Sequence, residues 1–100
     1  MKYSVVIPKI IFDVYKLTPD ELAVYAFVLR HQNIDNSCEY SLYEMPEDIG
    51  LENLELAKAL DNLSDFGLIN IEIDEDKINI EIIDIWSSNL FYYKDNLLGE

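Results

Sequence analysis

The sequence predicts a small, mainly helical α+β domain that closes with a β-hairpin and a trailing helix. Three observations predict it. Residues 51–66 read as an amphipathic helix with Leu56, Leu60 and Leu63 recurring along one side. Gly67 ends that helix, where a left-handed backbone is needed and glycine adopts it without steric cost. Two alternating runs, Ile69-Ile71-Ile73 and Ile78-Ile80-Ile82, then flank Asp74-Glu75-Asp76-Lys77. Helix, glycine stop and hairpin in that order complete a winged helix-turn-helix, the hairpin being the wing.

The remaining elements follow from the N-terminus. In residues 1–8, Tyr3, Val5 and Ile7 alternate with Lys2, Ser4 and Val6, which predicts an extended arm. Pro8 suits a first helical turn, and Ile10, Ile11, Val14 and Leu17 follow at helical spacing. Thr18-Pro19-Asp20-Glu21 is a helix start in which Thr18 and Glu21 form a capping box. The helix it opens, LAVYAFVLRHQ, is apolar nearly all round and belongs in a core or against another subunit. A loop over 33–37 leads to a short strand at Cys38-Glu39-Tyr40. Ser41 and Glu44 are expected to form a second capping box, opening a helix that Pro46 shortens or kinks and Gly50 breaks. Pairing Ile73 with Ile78 sets Ile71 opposite Ile80 and Ile69 opposite Ile82, so one hairpin face is entirely isoleucine. Residues 85–100 form an aromatic tail whose last helix is expected to start at Ser87 or Ser88.

Charge argues against the usual occupation of such a fold. The formal net charge is -13 over 100 residues, half of them hydrophobic, enough for a single small domain. Residues 1–40 hold four basic and five acidic side chains, a net -1, which leaves -12 for the rest. The helix that would enter a DNA groove carries Glu52, Glu55, Asp61 and Asp65 against Lys58, and the wing tip is Asp74-Glu75-Asp76. Phosphate is neutralised by Lys and Arg, so weak or no direct DNA binding is expected. A lone Cys38 gives no internal disulfide. The short apolar stretch at the N-terminus is interrupted by Pro8, Lys9 and Asp13 and lacks a cleavage pattern, and no apolar run approaches the ~20 residues of a membrane span. A cytoplasmic protein, bacterial or from a phage-infected host, is the expectation.

The opening VVIPKIIFDVYKLTPDEL, the short helix SLYEMPEDIG, the stretch LAKALDNLSDFGLINIEIDED and the aromatic segment after the wing together resemble the N-terminal winged-helix domain of DnaD-type replication initiation proteins and phage replisome organisers. The likeness covers most of the chain. Its most specific part is A-L-x-x-L-x-x-x-G-L-I at Ala59 to Ile69, a pattern found in many winged-helix families. The resemblance implies a domain for self-assembly and for contacts with other replication proteins, with DNA left to a separate C-terminal domain for which these residues hold no counterpart.

No catalytic, cofactor-binding or metal-ligating set is expected. His31 and Cys38 are single residues at helix-loop junctions, read as a surface histidine and a small, partly buried thiol rather than a dyad. Asp74-Glu75-Asp76 lacks the spacing and glycine of a calcium loop, and glycines at 50, 67 and 99 make no phosphate cradle. Two surfaces remain. Tyr3, Val5, Ile7, Trp86, Phe91 and Tyr93 are surplus apolar side chains expected to support a homo-oligomer. Glu52, Glu55, Asp61, Asp65, Asp74, Glu75 and Asp76 are an expected acidic docking face. The function expected first is a non-enzymatic interaction and oligomerisation module of a replication-initiation protein. The alternative is an acidic phage or mobile-element inhibitor that mimics DNA against a basic nucleic-acid-binding protein. A DNA-binding transcriptional regulator comes third.

Overall fold

The computed structural model describes residues 9–83, a small α+β unit of four helices and one three-stranded antiparallel sheet. The expected arm, the trailing helix and all six candidate self-association residues lie outside the described residues.

The first helical segment is not the α-helix that its spacing predicts. Ile11–Tyr15 is a π-helical turn, closed by Lys16, whose φ of 51° lets its N–H reach the Ile11 carbonyl at 2.9 Å. A π turn rotates less per residue than an α turn, so the inward stripe slips. Ile10, Ile11 and Leu17 remain inside, whereas Val14, expected beside them, is half-exposed.

Helix α1 (Pro19–His31) starts as its sequence predicts. Glu21 Oε1 accepts the Thr18 N–H at 3.0 Å and Thr18 Oγ1 accepts the Glu21 N–H at 3.3 Å. Its Val24, Tyr25 and Val28 are fully buried, with Leu22, Phe27 and Leu29 packed around them. Strand β1 (Ser37–Ser41) is one residue longer at each end than expected.

That extension removes the second capping box. Ser41 pairs with Lys77 in the sheet, and its Oγ accepts from the Tyr43 N–H at 3.2 Å instead of capping a helix. Helix α2 (Met45–Ile49) begins after Glu44, which makes no side-chain cap bond. Pro46 therefore stands in the first turn, where its missing N–H costs nothing, and helps to start the helix rather than kink it. Gly50 closes α2 at φ 90°.

Helix α3 (Asn53–Asp65) buries Leu56, Ala59, Leu60 and Leu63 against α1 and the sheet. Gly67, at φ 78°, turns the chain into β2 (Ile69–Asp74) and β3 (Lys77–Ile82). The hairpin register is the predicted one, from Ile69 opposite Ile82 to Ile73 opposite Ile78. Strand β3 lies between β1 and β2, and Cys38 and Tyr40 join the isoleucines on the inner face. Ile69, Ile78 and Ile80 are fully buried and contribute about 1.5–3 kcal/mol each, so a one-residue slip would be prohibitive. The inner face is not uniformly covered, however. Ile71 is half-buried and Ile73, on the outer strand near the tip, is 62% exposed.

Candidate functional site

The exposed isoleucine marks a groove. It encloses about 300 Å³ between the hairpin's inner face and the N-terminal half of α3. Leu56, Leu60 and Ile78, all buried, form its floor. Ile71 and Ile73 supply one wall, and Asn53, Ala57 and Asp61, one per turn of α3, supply the other. Leu42 and Pro46 complete the lining; the Leu42 N–H is bonded to the Asp76 carbonyl at 2.9 Å, which holds that side of the groove to the hairpin turn. The local cause is simple. Ala57 is a small side chain on the wall across from Ile73, and among the described residues β2 has no strand on its outer side.

The seven candidate acidic residues do not form one face. Asp61 lines the groove, and Asp74, Glu75 and Asp76 make the turn that follows Ile73. Asp74 stands opposite Lys77 on the sheet's outer side. Glu52 precedes α3, and its N–H donates to Glu55 Oε1 at 2.9 Å. Glu55 belongs to the opposite flank, in a polar cleft with Thr18, Asp20, Glu21, Lys58 and Asn62. Asp65 is exposed at the C-terminal end of α3.

A second acidic surface joins residues far apart in sequence. On the outer face of the sheet, Glu39 and Glu72 flank Asn79 across three strands, and Glu81 lies in the next row between Ser37 and Asn70. Asn70 Nδ2 donates to Glu81 Oε1 at 3.3 Å. Beside this face, Asp35 takes both the N–H and the hydroxyl of Ser37, at 3.2 and 2.6 Å. The Ser37 hydroxyl, and then its N–H, hold the Asp35 carboxyl below the ordinary carboxylate value.

His31 and Cys38 have structural surroundings. The His31 ring lies 4.3 Å from Phe27 and 5.6 Å from Tyr40, centroid to centroid, while Phe27 meets Tyr40 edge-on at 5.0 Å. Tyr40 donates its hydroxyl to Asp48, a bond that joins β1 to α2 and pushes the phenol up to about 12. Cys38 is 1% exposed, more buried than expected, and burial pushes its thiol up, away from the thiolate that chemistry would need. Among the described residues, no group of three or more His, Cys, Asp or Glu side chains is placed to hold a metal ion.

Sequence reasoning missed the groove because alternation alone sends every isoleucine inward. The missing signal is residue size, since Ala57 is a small, exposed residue on the wall of α3 across the groove from the hairpin's outer strand. The chain matches no family model, no curated protein and no solved structure. Among the described residues, no helix is long and apolar enough to cross a membrane.

Proposed function

We propose that the chain is a winged helix-turn-helix domain that works as a non-enzymatic protein-interaction module of the DnaD-like, replication-initiation kind. The order of elements supports the winged-helix part: helix, strand, two helices, then a hairpin whose returning strand lies in the middle of the sheet. The observation that carries the functional part is the composition of the surface a DNA reader would offer. Around α3 and the hairpin tip, Asp61, Asp65, Glu75 and Asp76 are exposed, with Lys58 and Lys77 the basic side chains of these elements, and an apolar groove opens between Asp61 and Ile73. Carboxylates there repel phosphate, whereas exposed Ile73 and Ala57 offer a protein something to cover.

The acidic outer face of the sheet favours the second reading, a DNA-like inhibitor of a basic protein. Glu39, Glu72, Glu81 and Asp74 lie there against Lys77. The two readings use opposite faces of the sheet, so charge-neutral variants of Glu39 and Glu72 and a variant of Ile73 separate them on any isolated partner.

Fluorescence anisotropy with a labelled duplex at physiological salt tests the exclusion of DNA. No saturable binding is expected at micromolar protein. A micromolar or tighter dissociation constant would overturn the interaction-module reading, because non-specific affinity in that range requires net phosphate neutralisation.

A further inference from the structure

We propose that the groove between α3 and the hairpin docks a basic amphipathic segment of another protein, with apolar side chains entering against Ile73 and Ala57 and Lys or Arg side chains meeting Asp61 and the acidic turn. This rests on the interaction-module reading and specifies the partner's chemistry.

Two independent features point to that occupant. The first is apolar and local. Ile73 and Ile78 are cross-strand partners, yet Ile78 is 1% exposed and Ile73 is 62% exposed. Among the described residues the covering layer therefore stops between two adjacent strands, over an opening of about 300 Å³. A cavity of roughly 150 Å³ accommodates one benzene, so the opening takes about two bulky apolar side chains. A helix about 10–12 Å across cannot enter it, so the partner's backbone stays outside and lies along the rim.

The second feature is the rim's charge. From Ser41 to Ile83 the chain carries twelve acidic and two basic side chains. Asp61 contributes a carboxylate within the groove, and Glu75 and Asp76 make the turn just beyond Ile73, Asp74 standing on the outer face beside Lys77. A second copy would bring the same surplus of carboxylates to that rim, which like-charge repulsion disfavours. A segment with Lys or Arg beside its apolar residues has the complementary sign and gains from electrostatic steering.

The test uses the full chain and a fluorescent amphipathic peptide of leucine and lysine, with a twin in which glutamate replaces every lysine. Saturable binding of the lysine peptide is expected, weakening as salt rises. Ile73→Ser should weaken it roughly tenfold and Asp61→Asn severalfold. Both side chains are exposed, so neither variant should unfold, and circular dichroism checks that. Equal binding of the glutamate twin would reduce the interaction to stickiness and overturn the proposal. So would undiminished affinity in Ile73→Ser, which would place the peptide elsewhere. A complete failure to bind would also overturn it, and light scattering that shows a dimer which Ile73→Ser dissolves would assign the groove to a second copy. The DNA titration is independent. Duplex binding defeats the broader reading, whereas a failed peptide titration without duplex binding defeats the groove assignment alone.

Discussion

Asn62 Nδ2 donates to Glu21 Oε2 at 2.8 Å, tying α3 to the first turn of α1 across 41 positions of sequence. The other carboxylate oxygen of Glu21 accepts the Thr18 N–H. One side chain thus caps a helix and joins two helices. Among the described residues it is the one charged side chain that is buried, at 5% exposure.

Glu21→Ala removes both bonds and should cost about 2 kcal/mol, since a helix cap and a hydrogen bond to a charged group are each worth about 1 kcal/mol or more. Asn62→Ala loses one bond and should cost about 1 kcal/mol. The double variant should lose less than the sum, with a coupling of about 0.5–1.5 kcal/mol in urea denaturation. Strict additivity would mean that the two side chains do not interact in solution.

The hairpin predicts a graded response to charge. Ile80→Asp places a carboxylate at a position with no exposure and should cost several kcal/mol, enough to abolish cooperative unfolding. Ile71→Asp, half-buried, should fall between, and Ile73→Asp should stay within about 0.5 kcal/mol of the parent. Thermal melts of the three variants test this order, and a large loss for Ile73→Asp would mean that the groove is filled.

Glu75 occupies the first place of the two-residue turn at φ 57°, a backbone region that glycine and asparagine tolerate better. Glu75→Gly and Glu75→Asn should each stabilise the domain by about 0.5–1 kcal/mol. Glu75→Gln keeps the backbone preference and removes the charge. A gain in Glu75→Gln equal to that in Glu75→Gly would assign the effect to the acidic tip rather than to the backbone.

Tyr40 predicts a specific loss of stability in alkali. Its hydrogen bond to Asp48 raises the folded phenol from 10.0 to about 12, so the folded state favours the protonated form. That stabilisation is complete below 10, where both states are protonated, and is lost as pH rises from 10 through 12. Tyr40→Phe should flatten this part of the stability curve, and Asp48→Ala should do the same by removing the acceptor and its charge. Denaturation midpoints of parent and variants across that window measure it, and parallel curves would disprove the assignment.

The hairpin register, the two glycine stops and the Thr18 capping box were legible because each depends on nearest neighbours in sequence. The π turn was not, because Ile10, Ile11, Val14 and Leu17 fit α spacing equally well and the left-handed Lys16 leaves no compositional trace. Ser41 and Glu44 had the residue types of a capping box, but pairing with Lys77 claimed Ser41 for the sheet, a long-range competition that local pattern does not encode. The acidic residues were legible as charge and not as a surface. The groove wall formed by Asp61 and the cleft holding Glu55 lie on different flanks of one helix.

The central place of β3 sets an order of assembly. Strands β2 and β3 meet through a two-residue turn, a closure that takes about 1–10 μs in isolated hairpins. Strand β1 can join only after a loop spanning α2, α3 and the hairpin has closed, at a far larger entropic cost. Its pairing should form last in refolding, and its amides should exchange earlier than those of β2 and β3. Leu42 is held to the hairpin turn through the end of this same strand. The opening beneath Ile73 is therefore complete only while the last-made contact of the fold persists, and a ligand that requires Leu42 would slow amide exchange in β1 without touching it.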